Sequence, residues 1–95
     1  MPYMIDKMNE KLRRGEILLG SHVFCGAPML TEAMAQQGFD CIWIDMEHTA
    51  IGKSEVLQNL IAVRAGGACS LVRIPWNDPV QAKPIIDMGP DAILF

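Results

Sequence analysis

The sequence predicts an α/β chain of parallel strands and helical crossovers, the first half of a (β/α)8 barrel. Short apolar strand-like runs start at about 17, 41, 69 and 92, or roughly every 25 residues, and each interval holds one helical pattern. The runs are continuously apolar rather than alternating, which suits a sheet covered on both faces. Eight such units would reach about 200 residues, inside the range of a full barrel. The expectation is therefore one domain part, residues 1–95, truncated after a fourth strand. A doubly wound, flavodoxin-like sheet is the alternative.

Taken in order, Asp6 is placed to cap a helix carrying Met8 and Leu12, with Gly15 as its stop. Ile17-Leu18-Leu19 leads through Gly20 into His22-Val23-Phe24-Cys25, the first strand. Pro28 suits the first turn of a second helix, whose apolar side holds Leu30, Ala33 and Met34 and which Gly38 ends. Cys41-Ile42-Trp43-Ile44 reads as a buried strand. Ser54 is expected to cap a helix with Val56, Leu57, Leu60, Ile61 and Val63 at helical spacing, stopped by Gly66-Gly67. Cys69 to Ile74 is the third strand. Asp78-Pro79 starts a short helix that Pro84 must bend or weaken. Ala92-Ile93-Leu94-Phe95 is the fourth strand, and Trp76 is expected to pack the loop after the third.

Composition excludes several classes. Eight basic against eleven acidic residues leave a net charge of −3, with no basic face for nucleic acid. The one basic cluster, Lys11, Arg13 and Arg14, reads as a solvated helix end. Uninterrupted apolar runs reach only four residues, as in Leu60–Val63, too short to cross a membrane, and the first sixteen residues lack the apolar core of a signal peptide. Counting glycine but not tyrosine, about 58% of the chain is apolar, against roughly 45–50% for an ordinary soluble chain. A chain this short should run the other way, so it is expected to bury surface against missing chain or a partner. Three widely spaced cysteines, Cys25, Cys41 and Cys69, fit neither a disulfide framework nor a zinc site. They suit small core residues in a reducing cytosol.

Chemistry in a parallel α/β sheet gathers at the C-terminal ends of the strands. Asp45, Glu47 and His48 follow the second strand and Arg73 ends the third. If the extended backbone continues, Asp45 and Glu47 share a face; the bland reading is a loop-capping carboxylate and an exposed histidine. As metal ligands the three need a further donor from elsewhere. Gly52-Lys53-Ser54 looks like the end of a phosphate loop, but the position five residues before Gly52 is Glu47, which would repel phosphate.

Gly38-Phe39-Asp40, Ile44-Asp45-Met46-Glu47-His48, Val72-Arg73-Ile74-Pro75-Trp76-Asn77-Asp78-Pro79 and Asp87-Met88-Gly89 together resemble the HpcH/HpaI aldolases, class II pyruvate aldolases that fold as TIM barrels. The resemblance runs from about Gly20 to Phe95. It implies a carbon–carbon lyase that reversibly cleaves a 4-hydroxy-2-oxo acid to pyruvate and an aldehyde. It also implies a divalent metal cofactor (Mg, Mn or Co) with no ligands in this chain, a cytoplasmic setting and a homo-oligomer. By the same resemblance His48 is the general base, Arg73 the keto-acid and oxyanion ligand, and Asp87 the carboxylate that raises the basicity of His48. His22 stands where better-known members carry a bulky aromatic, a substrate-contacting position. Asp45 and Glu47 are supporting residues, Asp45 competing with Asp87 to orient His48. The alternatives are a non-catalytic fragment or assembly piece lacking the metal site, and a related lyase acting on CoA esters.

Overall fold

A computed structural model describes residues 4–95. Eight elements alternate: α1 (Met4–Arg13), β1 (Gly20–Val23), α2 (Pro28–Ala35), β2 (Cys41–Asp45), α3 (Lys53–Gly66), β3 (Cys69–Arg73), α4 (Pro79–Asp87) and β4 (Ala92–Leu94). All strand pairs are parallel, in the order β1-β2-β3-β4. A doubly wound sheet reverses direction at a switch point and carries helices on both faces. This sheet has no reversal. Val23, Ile42, Ile44 and Val72 join Ala35, Val56, Leu60, Val63, Ala82 and Ile85 in one core, so the crossover helices cover a single face. That is barrel winding, and the flavodoxin-like alternative is set aside.

Local chemistry explains the ends. Pro28 and Pro79 open α2 and α4, where the missing N–H costs nothing. The Asp78 side chain accepts from the Val80 N–H at 3.0 Å, and α4 runs through Pro84 without a break. Gly67 ends α3 in the left-handed region at φ 87°, the conformation glycine adopts without penalty. Gly66 does different work: a Cβ there would lie 2.4 Å from Ala35 Cβ, so its lack of a side chain sets how closely α2 and α3 approach. Their interface also buries a polar pair. The Thr31 hydroxyl donates to Asn59 Oδ1, and Asn59 Nδ2 donates to the Glu55 carbonyl at 2.7 Å.

Five expectations need correction. α1 already runs from Met4, so Asp6 lies in its first turn rather than capping it. β1 starts at Gly20 rather than 17, leaving Ile17 89% exposed. The strand ladder begins only where Asp40 holds the chain, its carboxylate accepting from the Leu19 N–H at 2.9 Å. Asp91 does the same before β4, accepting from the Ser70 N–H at 2.8 Å. Gly52, not Ser54, is the N-cap of α3, because Glu55 folds back to accept from the Gly52 N–H at 3.0 Å. Trp76 stands out at 69% exposed instead of packing its loop. Cys25 is exposed rather than a core residue, being two residues past the end of β1. Among the described residues no helix is long and apolar enough to cross a membrane.

Candidate functional site

The polar residues singled out from the sequence collect at the C-terminal ends of β1, β2 and β3, on the face away from the helices. Side chains alternate along a strand, so while Ile42 and Ile44 enter the core, Trp43 and Asp45 turn to the other face. Register sets their neighbours: His22 pairs with Trp43, and Asp45 with Arg73.

Asp45 is the hub. Its side chain is fully buried, and Arg73 grips it with a two-pronged fork, Nε to Oδ1 at 3.3 Å and Nη2 to Oδ2 at 2.9 Å. Oδ1 also accepts from the N–H groups of Glu47 at 2.8 Å and His48 at 3.2 Å. Burial alone would raise the Asp45 carboxyl. The hydrogen bonds from Arg73 and from the two amides override it and hold the pKa at about 2. Arg73 in turn is raised above its ordinary value, chiefly by the hydrogen bond to Asp45.

The two amide bonds also turn the backbone. The extended conformation ends at Asp45, so Glu47 and His48 leave the strand line and do not share its face. The Thr49 hydroxyl donates to the Asp45 carbonyl and accepts from the Ile51 N–H, closing the bend. His48 is left 68% exposed, with Nε2 2.7 Å from Glu47 Oε1. Glu47 Oε1 lies 3.7 Å from Arg73 Nη1. Asp45 has spent the Nε side of the guanidinium, so both protons of Nη1 and one of Nη2 remain for a ligand. The free edge of the fork and the imidazole thus meet at Glu47.

Sequence reasoning passed over Trp43. Its ring stacks on His22 with centroids 4.5 Å apart and planes 22° off parallel, and the Arg73 Cζ lies 4.5 Å from its centroid. Such a cation over an indole is attracted to the ring face. Two-residue spacing from Asp45 was the available signal. His22 Nε2 comes within 3.2 Å of Asp45 Oδ2 but off the line of a hydrogen bond, and both it and the buried Trp43 Nε1 are without a partner among the described residues. The His22 ring also lies 4.1 Å from that of Phe24, tilted by 41°.

Asp87 is not brought to this site within the chain. α4 leaves the C-terminal end of β3 and descends toward the N-terminal end of β4, carrying Asp87 to the far end of the sheet beside Ile86. Of the two proposed orienters of His48, Asp45 acts on its backbone and Glu47, not Asp87, meets its ring. Nor do the donors fit a divalent ion. Both Asp45 oxygens are engaged, Glu47 and His48 face each other, and among the described residues no group of three His, Cys, Asp or Glu side chains is arranged to hold a metal.

No protein-family model matches the chain. It is 36% identical over 91 residues to a hydroxypyruvate/pyruvate aldolase of Sagittula stellata, covering 95% of this chain and 36% of that protein. It is 33% identical over 91 residues to a 4-hydroxy-2-oxo-heptane-1,7-dioate aldolase of Shigella sonnei, covering 96% and 35%. A solved HpcH/HpaI aldolase/citrate lyase family protein from Burkholderia cenocepacia superposes with a TM-score of 0.82 at 29% identity, over 94% of this chain and 36% of that one. The chain thus spans about a third of the length of the proteins it matches.

Proposed function

Because the chain is of the HpcH/HpaI aldolase type over the stretch it spans, we propose that it is the N-terminal part of a TIM-barrel carbon–carbon lyase that cleaves a 4-hydroxy-2-oxo acid to pyruvate and an aldehyde. The observation that carries this reading is the locked Arg73 fork with its free edge beside the Glu47–His48 pair.

The geometry supports the following roles. Asp45 and Trp43 hold the guanidinium in one orientation, and its open edge receives the planar carboxylate and keto oxygens of the substrate. His48 takes the proton from the 4-hydroxyl. The C3–C4 bond then breaks, the aldehyde carbonyl forms at C4, and the bonding pair moves into the C2–C3 bond to leave pyruvate enolate. Arg73 opposes the charge that develops there; a preorganised donor in such a place is typically worth about 2.7–4 kcal/mol. His22, stacked on Trp43, borders the substrate face. Asp87 is assigned to the site of a neighbouring subunit, since it lies at the wrong end of the sheet for its own His48. The divalent metal implied for this aldolase type does not fit the donors of this stretch, so its ligands are placed on other parts of the barrel.

In the protein that carries this stretch, His48→Ala should lower pyruvate release from a 4-hydroxy-2-oxo acid by about 10²–10⁴-fold while largely sparing deuterium exchange into the pyruvate methyl group. Arg73→Ala should depress both, and Arg73→Lys should rescue little, because a point charge does not reproduce the planar fork. Wild-type cleavage by His48→Ala would overturn the assignment of the base. Likeness to an HpcH/HpaI aldolase/citrate lyase family protein favours, as second reading, a lyase acting on a CoA ester; release of a free thiol-ester product from such a substrate, without 2-oxo acid cleavage, would select it. A non-catalytic fragment is the remaining reading, decided by the intact mass of the natural product against 10.5 kDa.

A further inference from the structure

The N-terminal end of the sheet holds a second cluster, remote from Asp45, Arg73 and His48. β2 and β3 each begin on a cysteine, and the register sets Cys41 directly opposite Cys69. Neighbouring strands lie about 4.7–4.9 Å apart, inside the roughly 4.4–6.8 Å Cα separation that a disulfide spans. Directly opposed residues of parallel strands also project to the same side, so the two thiols share one face of the sheet.

Their surroundings differ. Cys41 is half-buried, whereas Cys69 is buried and borders a cleft of about 260 Å³ beneath α1 that Lys7, Lys11 and Asp40 also line. The neighbouring Cys69 thiol draws Cys41 below its ordinary pKa. The neighbouring Cys41 thiol, with burial and the charge of Asp91, pushes Cys69 up. The half-buried thiol is the one a small disulfide reaches first, and the buried one beside it is placed to resolve the adduct.

We propose that Cys41 and Cys69 form a redox-active dithiol that a low-molecular-weight disulfide oxidises to an intrachain bridge between β2 and β3. The Cys41 thiolate attacks one sulfur of the small disulfide, making a mixed disulfide and releasing one thiolate, which takes up the proton Cys41 lost. Cys69 then gives up its proton, and its thiolate attacks the Cys41 sulfur, expelling the second small thiol. Two electrons and two protons pass to the oxidant: the dithiol becomes a disulfide, and the small disulfide becomes two thiols. The bridge would tie two strands together at the end of the sheet opposite the proposed active site.

The test uses the whole chain with the exposed Cys25 changed to serine, incubated folded with excess oxidised glutathione. The expected product is about 2 Da lighter, having lost two thiol hydrogens. It resists alkylation, yields a linked peptide pair holding residues 41 and 69, and reverts with dithiothreitol. Adding Cys69→Ser should stop the reaction at one glutathione adduct on Cys41; adding Cys41→Ser should leave Cys69 reduced. Bridge formation in the folded chain should be at least about tenfold faster than in urea, where a loop of some 28 residues must first close. The proposal is overturned if both cysteines still alkylate after the incubation, if Cys69 takes the adduct as readily as Cys41, or if the folded and unfolded rates are equal.

Discussion

Replacing Asp45 by asparagine keeps the shape of the hub and removes its charge. The fold lowers this carboxyl from 3.8 to about 2, which means that the folded chain prefers the ionised form. The linked stabilisation is present in full above the unfolded value near pH 4 and is lost as the pH falls through about 2. Nearly two pKa units, at 1.36 kcal/mol each, make about 2 kcal/mol. In Asp45→Asn the amide group cannot accept from every donor that the carboxylate serves, so one N–H₂ must face Arg73 or the Glu47 and His48 amides. The variant is therefore less stable at neutral pH by at least that amount. Urea unfolding of both chains, followed by tryptophan fluorescence from about pH 7 down to about pH 2, tests this directly. The gap should stay constant down to about pH 4 and then narrow by about 2 kcal/mol. Asp40, also lowered and chiefly by the hydrogen bond from Lys11, is common to both chains and cancels. A gap that stays unchanged to pH 2 would show that the folded chain does not prefer ionised Asp45, and the hub reasoning would fall with it.

Gly66→Ala should lower the unfolding free energy by about 1–3 kcal/mol and the urea midpoint with it, despite the better helix propensity of alanine, because the new methyl meets Ala35 Cβ at 2.4 Å and the Glu32 carbonyl oxygen at 2.9 Å; a raised midpoint would mean that α2 and α3 can move apart freely. Asn59→Ala should cost about 1–3 kcal/mol, and combining it with Thr31→Val should recover some of that loss, a coupling of at least about 0.5 kcal/mol in a double-mutant cycle; strict additivity would contradict the buried pair. The chain should also self-associate, since Trp76, Phe95 and Ile86 are 69%, 64% and 54% exposed; sedimentation giving a sharp monomer boundary at micromolar concentration would count against the half-barrel reading.

Much of the fold was legible because short apolar runs, glycine stops and proline starts are local signals. β3 and the Asp78-Pro79 start of α4 lie where their residues predict, and so does the Gly67 stop. β1 was misjudged because apolarity marks Ile17-Leu18-Leu19 as strand, while the ladder starts where Asp40, twenty-odd residues later, supplies a partner. Ser54 lost its cap because Glu55 reaches back to Gly52, and the cap sits two residues earlier.

By itself the sequence determined the period of strands and helices, the placing of Asp45, His48 and Arg73 after apolar strands, and an excess of apolar surface. Only the tertiary structure decided what those residues do to one another. Register across β1, β2 and β3 made Asp45 the shared acceptor of Arg73 and two amides, slid Trp43 against both His22 and Arg73, and set Cys41 against Cys69. It also sent Asp87 to the far end of the sheet. The physical reason is that helix and strand propensity is written in neighbours along the chain, whereas a parallel register joins residues more than twenty positions apart and is settled by the joint packing of helices onto one face of the sheet.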